Sequence, residues 1–251
     1  MGRRIWFSSL IASVKDMSAT DPLSPLLALG EVAVLAERAT AAIARVHRRP
    51  AALRKPELIV GESVLRGART STLIDGHPAP VDKEPAGAFG AAVSVYGLLA
   101  PGVIQDNAAV FRRSPANVVA RMDVAAGGPG VAVAADGPQR LQALARLLGD
   151  DTVNAAVLPQ VVHAEIVARE LFGERSGLIG RAASRLAAVA TGVDPRGLAV
   201  PEIYLNRHRA EYREALAGWS RDTEGMRVAL EFLLRAWIQG AAEADAIVQA
   251  A

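Results

Sequence analysis

Apolar residues recur along most of this chain at helical rather than alternating spacing. Leu35, Ala39, Ile43 and Val46 share one face, with Pro22 and Pro25 before them and Pro50 and Pro56 after. That pattern predicts an amphipathic helix over 22–49. A second helix is predicted from Pro56 to Ile74, carried by Leu58, Val64, Leu65, Ala68 and Leu73. Asp75-Gly76 with Pro78 and Pro80 stops it, Gly76 being suited to a left-handed cap. Residues 84–101, rich in Ala and Gly, read as a third helix ended by Pro101-Gly102. Residues 103–137 are the least helical by pattern: Val118-Val119 and Val131-Ala132-Val133 read as two short strands, a β-hairpin around 125–130. From Pro138 the helical period returns. Leu141, Leu144, Leu147 and Leu148 form one stripe, and Val157, Val161, Val162, Ile166 and Val167 another that runs to Leu171. A helix from about Leu178 to Ala190 follows, then two near Tyr204–Trp219 and Thr223–Val248. The expected fold is a mainly α single domain with a small β-hairpin.

Composition narrows the function. At 251 residues and 51% hydrophobic content a sizeable core is available, and 4% aromatic content makes it an aliphatic one. The net charge is +2, with Lys only at Lys15, Lys55 and Lys83. No dense basic stripe with interleaved aromatics is present, so nucleic acid is not an expected partner. The absence of Cys excludes disulfides, thiol catalysis and thiolate metal sites, and fits a cytoplasmic location. His47, His77, His163 and His208 are scattered without zinc-site spacing. No stretch reaches the roughly 20 apolar residues of a membrane span. Met1–Val14 imitates a short signal, but Ser8 and Ser9 interrupt it and Lys15-Asp16 follow instead of a small-residue cleavage site. Met17 reads as an ordinary start. Residues 1–16 are therefore expected to be an upstream extension or a disordered tail, and 17–251 one helical domain.

The chemistry concentrates in Phe172-Gly173-Glu174-Arg175-Ser176-Gly177-Leu178-Ile179-Gly180-Arg181, between two helical segments. Gly173, Gly177 and Gly180 let the backbone approach a ligand. The following helix would point its free N–H groups and positive dipole end at the loop, a natural phosphate site. Glu174 is a candidate for Mg²⁺ that bridges phosphates, and Arg181 for a bidentate phosphate clamp. The plain alternative is a helix–helix turn with a solvated Glu–Arg pair. Thr70-Ser71-Thr72-Leu73-Ile74-Asp75-Gly76 reads either as a polar last turn or as a carboxylate presented to a distant arginine. His163, among Val161, Val162 and Ile166, reads first as a hydrogen-bonded core residue.

In order and spacing over about residues 60–240, these segments resemble the Fic (Fido-domain) family, whose usual activity is transfer of AMP from ATP to a protein hydroxyl. The family's loop reads His-Pro-Phe-x-Asp/Glu-Gly-Asn-Gly-Arg-x-Gly-Arg, on a helix that often carries another His seven residues earlier. Here His163 stands seven residues before Glu170, and Phe172, Glu174, Gly177, Gly180 and Arg181 match. Glu170 replaces the His that acts as general base, Leu171 replaces Pro, Arg175 the first Gly, Ser176 the Asn and Leu178 the first Arg. Ser71-x-x-x-Asp75-Gly76 resembles the inhibitory-helix motif, whose acid pairs with the last motif arginine, here Arg181. Phe111-Arg112-Arg113 is similar to the segment before the target-docking flap, which would be 114–135. Pro201–Leu216 is similar to the helix after the core.

The resemblance implies a Fic-like fold, ATP and Mg²⁺ as ligands held by Phe172, Glu174, Arg175, Ser176, Gly177, Gly180 and Arg181, a protein target or partner, and a homodimer. The altered loop implies impaired catalysis and a binding or regulatory module. The competing expectations are an active nucleotidyl transferase with Glu170 as an atypical base, and a ligand-free interaction domain.

Overall fold

The computed structural model describes residues 21–251; the expected extension, 1–16, lies outside them. These residues are mainly α-helical, and no strand occurs among them. Thirteen α-helices follow in order among the described residues. They are α1 (Ser24–Leu27), α2 (Val32–His47), α3 (Pro50–Arg54), α4 (Pro56–Ile74), α5 (Gly87–Tyr96), α6 (Ile104–Arg113) and α7 (Pro115–Ala125). Then come α8 (Gly137–Leu148), α9 (Leu158–Ala168), α10 (Ser176–Ala190), α11 (Glu202–Arg207), α12 (Arg209–Gly218) and α13 (Thr223–Ala250).

The adjacent pair α9 and α10 forms the centre, since nearly every residue of both is buried. Helices buried on every face lie inside the molecule, and their polar side chains must find partners there. Val161, Val162, Ile166, Ile179, Ala183 and Leu186 have no exposed surface. Helices α4, α5, α6 and α7 pack around α10, while α12 and α13 close on α9 and α2 lies along α13. No single helix among the described residues is long and apolar enough to cross a membrane.

The expected hairpin is not formed. Val118 and Val119 lie within α7, and 128–136 is a loop. The physical reason is a period of three to four hidden under a β-branched pair: Val118, Val119 and Met122 are buried on one helix face, as Ile104, Ala108 and Phe111 are in α6. Pro115 opens α7 at its first position, where its missing N–H costs nothing. The segment expected to precede a flap, Phe111-Arg112-Arg113, is the last turn of α6. The loop 128–136 still leans on the candidate site, because Val133 N donates to Leu171 O at 2.8 Å. The predicted helix 84–101 narrows to α5 plus a 3₁₀ turn at Gly97–Leu99.

Candidate functional site

Helix α9 ends where the conspicuous loop begins. Leu171 N donates to Ile166 O and Glu170 N to Val167 O, both at 3.1 Å, the paired bonds of a Schellman cap. This cap sets Glu170 at a φ of +48°, the left-handed region that favours glycine, and leaves its side chain exposed. Leu171 and Phe172 turn into the core. Gly173–Arg175 form a 3₁₀ turn and α10 starts at Ser176, two residues earlier than the sequence pattern suggests. Ser176 Oγ accepts from Phe172 N at 2.8 Å and fixes the turn against the helix start.

Arg181 is fully buried one turn into α10, and the end of α4 meets it there. Its Nε donates to Ser71 Oγ at 2.8 Å and its Nη2 to Asp75 Oδ2 at 2.5 Å and Ser71 O at 3.3 Å. Burial opposes the guanidinium charge, but Asp75, with help from Tyr212 and Tyr96, outweighs it and holds the proton more firmly than usual. Asp75 sits beside the first turn of α10: a Cβ on Gly177 would come within 3.1 Å of Asp75 Oδ1 and 3.0 Å of Arg181 Nη1. Gly177 therefore leaves room for a carboxylate at the helix N-terminus, where free N–H groups and the dipole favour an anion. The α4 end is capped by the same motif as α9, with Gly76 at a φ of +85°.

Arg175 points the other way. Its Nε donates to Asp123 Oδ1 at 2.6 Å, and Asp123, buried on α7, also accepts from Gly130 N at 2.8 Å through Oδ2. This pair ties α7 and the loop after it to the site. Sequence reading missed Asp123; the only signal was one acid on the otherwise apolar face of Val119 and Met122.

A cleft of about 170 Å³ opens between these elements, lined by Thr72, Asp75, His77, Glu174, Arg175 and Leu178 among others. Of the expected ligand-holding residues, Glu174 and Arg175 line it together with Asp75; Phe172, Ser176, Gly177, Gly180 and Arg181 do not, and neither does Glu170, the expected base. Glu174 is exposed and presents a single carboxylate. Among the described residues no three metal-ligating side chains converge, so a Mg²⁺ at Glu174 would need phosphate and water oxygens to complete its shell.

Behind the cleft lies a buried polar layer. His163 Nε2 and the Tyr212 hydroxyl are 2.8 Å apart, and burial, then the Arg181 charge, lower the His163 pKa to about 3. Arg185, one turn beyond Arg181, donates to Ser63 Oγ at 2.6 Å and Gly197 O at 2.9 Å. The Tyr96 hydroxyl donates to buried Glu202 at 2.7 Å. No protein-family model matches the chain, and no curated protein matches it.

Proposed function

We propose that this chain is a Fic-like helical protein that binds a phosphate-bearing nucleotide at the start of α10 and is impaired in catalysis, acting as a binding or regulatory module. The observation that carries the reading is the Ser71–Asp75–Arg181 cluster. A carboxylate from another helix lies beside the first turn of α10, paired to a buried arginine. A phosphate has the same charge sign and the same acceptor geometry, and takes up the Arg181 fork when Asp75 leaves it. Glu174, at the cleft rim, would supply the carboxylate for Mg²⁺.

Impairment follows from Glu170. A general base has to reach the hydroxyl it deprotonates. Glu170 is exposed and outside the cleft lining, held there by the cap of α9. Leu178 stands where the family has its first clamping arginine, and Arg175, three positions earlier, is committed to Asp123. The cleft is also below the roughly 300 Å³ at which small-molecule sites begin, so a nucleotide needs Asp75 displaced before it fits.

Calorimetric titration of ATP with Mg²⁺ tests this. Asp75→Ala should tighten binding about tenfold, the scale of one charge-assisted contact. Arg181→Ala should abolish it, and Arg181→Lys, which keeps the charge but not the fork, should weaken it. Absence of heat in every variant at millimolar ATP would overturn nucleotide binding and leave a helical interaction domain.

A further inference from the structure

Helices α12 and α13 cross near Gly218 and Gly225 and leave a groove of about 400 Å³ that shares no lining residue with the cleft. Its floor is apolar: Ala215, Val228 and Phe232, with Val228 40% exposed. Its rim is acidic. Glu211, Glu214, Asp222 and Glu224 stand on it against a single basic residue, Arg221. Among the described residues, Glu214 and Asp222 form no ion pair.

The chain itself carries a complementary segment. Residues 3–15 hold Arg3, Arg4 and Lys15, with no acid among them. Phe7, Leu10, Ile11 and Val14 recur at the i, i+3, i+4, i+7 spacing of one helix face, next to Ile5 and Trp6. Residues 30 and 31 of the described chain lie against α13, the helix that forms one wall of the groove. A Cβ on Gly30 would come within 2.7 Å of Arg227 Cδ, and Arg227 is hydrogen-bonded to Glu224 of the groove rim. Glu31 N donates to Glu231 Oε1 at 3.0 Å. Along α13, Glu224 and Glu231 are about 10 Å apart at 1.5 Å per residue. Residues 16–20 alone span up to about 17 Å when extended.

We infer that residues 3–15 dock in cis on the α12–α13 groove, apolar side on Val228 and Phe232 and basic side chains on the acidic rim. This is the helix-in-groove mode of recognition, with charge fixing the place and apolar contact supplying the affinity. It gives the segment a role other than that of a detached extension, and it does not depend on what binds at α10.

Trp6 reports on this in the intact protein, because Trp219 and Trp237 are 1% and 2% exposed. Acrylamide quenching of the full chain, with Trp6→Phe as background, should find Trp6 several-fold less accessible than in a peptide of residues 1–20. Val228→Asp, or Glu211→Lys with Glu214→Lys, all at exposed positions, should restore peptide-like quenching, and added salt should raise it. Two results would overturn the proposal: full accessibility of Trp6 in the unaltered chain, or protection that the groove variants leave unchanged. Protection lost on dilution would place the segment in the groove of a second copy and overturn docking in cis.

Discussion

Two helix ends beside the site carry the same cap with different residues. At the end of α4 the left-handed position is Gly76; at the end of α9 it is Glu170. A side chain in that region costs roughly 1–2 kcal/mol, which glycine avoids. Glu170→Gly should therefore stabilise the fold by about 1 kcal/mol, a rise in Tm of about 2–4 °C at this chain length. Gly76→Ala should destabilise it by a similar amount. Thermal or urea unfolding of both variants checks the pair. A Glu170→Gly protein no more stable than the parent would mean that the glutamate side chain makes a compensating contact. Equal ATP binding in Glu170→Gly and the parent is expected, because the carboxylate lies outside the cleft lining.

At the scale of elements, the Arg175–Asp123 pair joins three of them: the turn before α10, helix α7, and the loop from Gly127 onward. Asp123 is fully buried and accepts from both Arg175 and Gly130 N, while Arg175 keeps part of its side chain in the cleft, so Asp123 is the member on which both ties depend. Asp123→Ala should cost about 2–3 kcal/mol and free Gly130 N–H, which then exchanges with solvent faster than in the parent. Unchanged protection at Gly130 would show that the loop is held by other contacts, such as Val133 N to Leu171 O. Such a tie, between residues 52 positions apart, has no local signature in the sequence. What was legible was local. The bounds of α4 from Pro56 to Ile74 followed from a proline at its start and the Asp-Gly stop, and the Gly76 cap from glycine chemistry. The stretch 104–125 was not legible as helix, because its Val-Val pair and the proline between two helices both look like strand and turn signals until burial shows which face they share. At the site, the glycines and Arg181 stood out by type. The commitment of Arg175 to Asp123 and the exposure of Glu170 depend on how distant helices pack.

At the scale of the molecule, the core is split by polar groups: His163, Arg181, Arg185 and Glu202 are all buried between α4, α9, α10 and α11. Such a layer makes folding depend on protonation. His163 titrates at about 3 in the fold, because burial and then the Arg181 charge disfavour the imidazolium, against about 6.5 in an unfolded chain. Between those values the unfolded chain binds a proton that the native one does not. The native state is therefore fully favoured above about pH 6.5 and loses stability as pH falls toward 3, by up to about 1.4 kcal/mol per pH unit from this group. His163→Gln keeps a hydrogen-bonding partner for the Tyr212 hydroxyl and removes the titration. Urea unfolding at a series of pH values should give a slope for the variant flatter than the parent's by close to that amount between about pH 4 and 6. The substitution leaves every other titratable side chain in place, so the difference isolates His163. Identical slopes would mean that the imidazole takes up its proton in the native state.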